Sequence, residues 1–132
     1  MRITRFHPAE DGGSVFAEVD VALPFERRDG EGHLIEGSRR FSSPSVQFVA
    51  LPAGLDQSWH PAPQRQIVVV LAGTVEVTTG DGASRRFGPG HAFLADDVAS
   101  RGHLTRTVQG AAEVLFIPMP LEIDLDAWIA PA

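Results

Sequence analysis

The 132-residue chain contains no cysteine. That absence removes disulfides, thiolate metal sites, cysteine nucleophiles and iron–sulfur clusters. A basic surface is missing too. Seventeen acidic against eleven basic residues leave a formal charge of −6, which argues against a nucleic-acid partner, since phosphates need a positive face. No apolar run approaches the ~20 residues of a membrane helix, and no opening basic-plus-apolar stretch resembles a secretion signal. A cytoplasmic location without a membrane partner is the expectation. Long helices, internal repeats, low-complexity segments and domain linkers are not apparent. Nor is there a serine nucleophile elbow, a glycine-rich phosphate loop or a zinc-protease helix.

What is present reads as one globular domain over residues 1–132, large enough to bury a core without staples. Thirteen glycines and ten prolines are spread along the chain, the pattern of many short strands joined by turns. Val15–Leu23 alternates apolar and polar with the period of a half-buried strand. Residues 24–40 are polar and glycine-bearing, an exposed excursion or hairpin. Ser45–Leu51 predicts a second strand, and the apolar run Ile67–Ala72 a strand buried on both faces. Gly73 is expected to turn the chain into another strand, Thr74–Thr79. Gly80-Asp81-Gly82 is a hairpin signal, because these residues supply the positive φ of tight turns. Arg85–Phe87, Ala92–Ala95, Thr105–Val108 and Val114–Pro118 complete the strands. Leu121–Ile129 suits a short helical turn or a last strand. Together these spacings predict an all-β sandwich or small barrel.

One stretch says more. Gly54, His60, Ala62, Gln66 and Gly73 fall at the intervals of the pattern G-x5-H-x-H-x3-E-x6-G, with Ala62 at the second histidine and Gln66 at the glutamate. A second pattern, G-x5-P-x-G-x2-H-x3-N, is echoed around Pro89-Gly90, where His91 follows the turn. The loop from Asp96 to Gly102 is two residues longer than that pattern, and His103 is followed at the fourth position by Thr107. Over residues 45–118 the chain therefore resembles the cupin superfamily. It is similar to small single-domain cupins with Trp-His-x-Ala-Pro-x-Arg-Gln and Gly-His-x-Thr signatures. The resemblance implies a jelly-roll barrel of two antiparallel sheets, open at one end, with the ligand or metal inside. Residues 119–132 would then be a short tail, and Val15–Leu23 the N-terminal strand through which a homodimer pairs.

On strand parity, residues 60, 62, 64, 66, 68 and 70 share one face, which the resemblance turns inward. His103, Thr105 and Thr107 would line the opposite wall. The resemblance implies a metal held by three histidines and a carboxylate. Here His60, His103 and the neutral amide of Gln66 remain as ligands for iron, manganese, zinc, copper or nickel. Asp96 or Asp97, on the lengthened loop, could restore the missing carboxylate. Asp97 and Arg101 flank that loop where a lid would sit. A lone histidine in a barrel is usually a hydrogen-bonded packing residue, but two at motif positions point to function. His7, His33 and His91 read as surface or turn residues, Trp59 as outward packing, and the doublets Arg39-Arg40 and Arg85-Arg86 as exposed charge.

Two functions of different class follow. In the first, a small carbonyl or enol metabolite undergoes isomerase, cyclase, lyase or dioxygenase chemistry. His60 and His103 are then catalytic acid and base, because imidazole changes charge near neutral pH. Gln64, Gln66, Thr105, Thr107 and Asp97 would contact substrate, and a divalent metal, if bound, would polarise its oxygen. In the second, the pocket is metal-free and binds a small molecule without turning it over.

Overall fold

The structure, a computed structural model, describes residues 1–132. Eleven strands and one 3₁₀ turn follow in order: β1 (Arg2–Pro8), β2 (Ser14–Val21), β3 (Phe25–Arg28), β4 (Leu34–Gly37), β5 (Gln47–Leu51) and β6 (Asp56–His60). Then come β7 (Gln66–Thr78), β8 (Ser84–Phe87), β9 (Ala92–Ala95), β10 (His103–Pro118), the 3₁₀ turn Leu125–Ala127 and β11 (Ile129–Pro131). The fold is the expected all-β barrel, in one domain. No helix is long and apolar enough to cross a membrane.

The order β11-β2-β1-β9-β7-β10-β5 runs through one hydrogen-bonded sheet, with β8 on β7 and β6 on β10. The hairpin β3–β4 forms a separate two-stranded sheet. Two long strands turn this ladder into a barrel. The first half of β7 pairs with β9 and its second half with β8. Likewise β10 pairs with β6 near its start and with β5 near its end. Each long strand therefore belongs to both walls. All barrel pairings are antiparallel except β1–β9, which is parallel.

The crossing from wall to wall needs a bulge, and this corrects the expected turn at Gly73. Gly73 has φ 75° inside a continuous strand, and a Cβ there would lie 2.3 Å from the Ala111 carbonyl oxygen. Opposite it, Gln109 adopts φ 55° and the β7–β10 register shifts between Val108 and Glu113. A bulge moves the side-chain parity by one. Val68 and Val70 point inward before it and Val75 and Val77 after it, all buried. Periodicity within either half could not reveal that the halves join, so four expected strands are two.

The core gathers Phe6, Val68, Val70, Val75, Val77, Phe93 and Val114 from both walls. Each such side chain, fully buried, contributes roughly 1.5–3 kcal/mol. A second cluster lies outside the barrel, where Leu94, Met119 and Trp128 pack with Phe41, Ile67 and Ile129. Residues 119–132 are thus a folded cap rather than a loose tail, and they contain both the helical turn and the last strand. β1 was not foreseen; only the chain's return brings Arg2–Pro8 beside β2 and β9. β2 lies inside the sheet, its Val19–Val21 stretch already paired to β11. That stretch of Val15–Leu23 is therefore no free edge for a second copy.

Candidate active site

Between the two walls lies a cavity of about 490 Å³. β6 and β10 bring His60 and His103 together as a directly paired cross-strand couple, with ring centroids 4.6 Å apart and planes tilted by 52°. The close approach depends on Gly102. Its φ is 94°, and its missing Cβ would sit 2.0 Å from the carbonyl carbon of His60. Gln66, at the start of β7, and Thr105, on β10, also line the cavity.

Hydrogen bonds fix how the two rings face. The Nδ1 of His103 lies 2.6 Å from Oδ2 of Asp97, whose side chain is fully buried. A carboxylate accepts, so Nδ1 carries a proton and Nε2 is turned away from Asp97. The second oxygen of Asp97 accepts from the Ala62 backbone N–H at 2.9 Å, which locks the carboxylate. His60 Nδ1 lies 2.7 Å from the Ser58 carbonyl, and a carbonyl too can only accept. Both imidazoles thus carry a proton on Nδ1, with their Nε2 atoms free of protein partners. The Gln66 residue is 7% exposed, and its amide makes no hydrogen bond to the protein. Since no sealed side-chain polar atom lacks a partner, that amide meets the cavity space.

Several expected contacts lie elsewhere. Gln64 is exposed and outside the cavity, whereas Arg65 is buried. The parity argument fails there because residues 61–65, with Pro61 and Pro63, leave the strand. Thr107 is buried beside the cavity without lining it. Its hydroxyl donates to the Pro52 carbonyl and accepts from Leu55 N–H, pinning the loop before β6. Asp97 supports His103 and does not line the cavity. Asp96 pairs with Arg5 on the outside.

The loop from Asp96 to Gly102 is no lid. Ser100 donates twice to the Asp97 carbonyl, and Arg101 binds the Gly12 and Asp11 carbonyls of the β1–β2 turn. Gln57, which also lines the cavity, was missed. Its cross-strand pairing with Thr105 was the missing signal, and no sequence interval announces it. Trp59 points outward, half exposed, and His33 and His91 are exposed.

The donors do not fit the divalent metal that the resemblance implies. Two imidazole nitrogens and one amide oxygen are all neutral, and no third histidine, aspartate or glutamate joins them. Asp97, the nearest carboxylate, is committed to Nδ1 of His103 and to Ala62 N–H. A dication here would keep its charge uncompensated in an apolar barrel.

No protein-family model matches the chain, and no curated protein matches it. Among solved structures it is similar to the SPY1581 protein of Streptococcus pyogenes, at 19% identity over 63% of this chain and 70% of that one, TM-score 0.46. Protein NMB1881 from Neisseria meningitidis is 25% identical over 60% of this chain and 79% of its own, TM-score 0.46. NovW, a 4-keto-6-deoxy sugar epimerase from Streptomyces spheroides, is 15% identical over 98% and 73%, TM-score 0.34. None of these likenesses is close enough to carry a function across.

Proposed function

We propose that this protein binds a small oxygen-bearing metabolite inside the barrel and moves a proton on it without a metal ion. One arrangement carries the reading. Two imidazoles in contact turn Nε2 atoms without protein partners away from their fixed Nδ1 protons, beside a cavity-facing amide that no protein group satisfies. The amide opens onto the cavity space, where a ligand oxygen or hydroxyl can meet it with a hydrogen bond worth ~0.5–1.5 kcal/mol net.

The chemistry follows from these positions. The Gln66 amide N–H donates to a ligand carbonyl oxygen and stabilises the negative charge that gathers there as the enolate forms. The Nε2 of His103 takes the proton from the adjacent carbon, and the Asp97 carboxylate on Nδ1 offsets the charge that the ring gains. His60, when it carries a proton on Nε2, returns one to the neighbouring atom. A carbonyl and its enol, or two positional isomers, interconvert with no net gain or loss of protons. The Asp97 carboxylate is a positioning group; the two histidines are the ones that touch substrate.

The test uses chelator-treated protein in D₂O, with a panel of small enolisable ketones and carbon–hydrogen exchange followed by NMR. Wild type is expected to wash deuterium into a bound ketone. His103→Gln should slow exchange by ~10²–10⁴-fold, the usual contribution of a general base. Asp97→Asn donates an N–H to Nδ1 and so moves the ring proton to Nε2. It should therefore lower kcat with little change in KM. Binding without exchange on every panel member would sink the catalytic half of the proposal and leave a metal-free binding module.

A further inference from the structure

Resting on that reading, we infer that the ligand is uncharged, with one oxygen-bearing edge and an apolar body, and that phosphorylated, nucleotide or carboxylate-bearing metabolites are excluded. The composition of the cavity wall carries this. Eleven of its eighteen lining residues are hydrophobic, and none is Asp, Glu, Lys or Arg. Burying an anionic group without a permanent cation beside it is costly, because the two imidazoles, its only possible partners, would each first have to take up a second proton.

The nearby arginines cannot make good that lack. Arg65 spends its protons on the carbonyls of Met119, Pro120 and Ile123, on the far side of β7. Arg5 is held by Asp96, and Arg101 by the Asp11 carbonyl. The net charge of −6 adds a general repulsion of anions.

The polar groups are unevenly spread within the cavity. The directly paired couples His60/His103 and Gln57/Thr105 sit on the β6–β10 wall. Facing them, β5, the first half of β7 and the end of β10 contribute Val49, Leu51, Val68, Val114 and Phe116, and Gln66 is the one polar side chain on that wall. Phe6 and Phe93 close the side, with Phe6 4.6 Å from the His103 ring and 5.7 Å from Phe93 by centroids. A ligand with oxygen on one edge and a ring or branched alkyl body on the other matches both walls. A compact polyol does not, because its remaining hydroxyls would face valine and phenylalanine.

Two matched pairs of probes test this: phenylacetone against phenylpyruvate, which differ only by a methyl or a carboxylate on the same benzyl ketone, and acetone against pyruvate. Binding is read by saturation-transfer NMR and calorimetry at near-physiological salt, and turnover by deuterium exchange in the same samples. Phenylacetone is expected to bind at least about tenfold more tightly than phenylpyruvate and than acetone. Gln57→Arg, at an exposed rim position, should reverse the first preference by supplying the missing cation.

Equal or tighter binding of phenylpyruvate to wild type would overturn the inference, as would no binding of phenylacetone at millimolar concentration. The two readings separate cleanly. Phenylacetone bound but not exchanged upholds the ligand class and removes the proton transfer. Exchange confined to the anionic ketones does the reverse.

Discussion

Arg65, just before β7, and Gln66, its first residue, are both buried, and they have opposite fates. Arg65 turns outward beneath the C-terminal cap, where three backbone carbonyls of residues 119–123 accept its protons at 2.6–3.1 Å. Gln66 turns inward to the cavity, where its amide finds no protein partner. The cap is a closed hydrogen-bond account and the cavity rim an open one. A buried polar group that the fold satisfies holds the fold together; one left open, beside two ring nitrogens without protein partners, is free to meet a ligand.

The contrast can be broken at several points. The largest effect should come from Gly102→Ala, because the new Cβ would overlap His60 backbone rather than a side chain that could swing away. With the positive φ added, a loss of about 4 kcal/mol is expected in chemical denaturation, with the histidine couple forced apart. Arg65→Ala comes next. It strands three carbonyls under the cap and should cost about 3 kcal/mol, while ligand binding by the folded fraction stays near wild type. Binding lost in proportion to stability would show that cap and cavity are one unit.

Gln66→Leu should do the converse. Stability is expected to hold or to rise by up to about 1 kcal/mol, while ligand affinity falls about tenfold. A clear fall in melting temperature would mean that the amide is satisfied within the protein after all.

The smallest effect lies on the outer wall. Hydrogen bonds from Arg106 and Arg86 bring Glu76 down to about 2 from the ordinary 4.5. A carboxyl lowered on folding stabilises above its unfolded value, and that contribution is lost as pH falls from about 4.5 towards 2. Glu76→Gln should therefore lower the melting temperature slightly at neutral pH, and the difference should vanish near pH 2. A gap that persists there would assign the loss to packing instead of charge.

How much of this was legible beforehand depends on the range of the interactions. Val68 and Val70, His60 and Gln66 could be placed inside because short-range alternation and fixed intervals specify them. Gln64 was misplaced because parity was carried through Pro61 and Pro63, where the strand is interrupted. Asp97 was visible only as a loop carboxylate. Its role depends on Ala62 N–H, 35 positions earlier, and on the buried ring of His103. The alanine at the second histidine position gives the site no side-chain ligand, but its backbone orients Asp97.

By itself, the sequence determined an all-β chain free of cysteine, the strand segments with their inward faces, and the pairing of His60 with His103 as candidates. Those properties are local, set by side-chain period, turn residues and motif intervals. Tertiary structure alone decided that β7 and β10 cross from wall to wall through paired bulges, that Arg65 is spent on the cap, and that Asp97 stands behind His103. It also decided that no charged side chain reaches the cavity. Each of these depends on which distant backbone group lies within hydrogen-bond reach, and the chain acquires those neighbours only when the barrel closes.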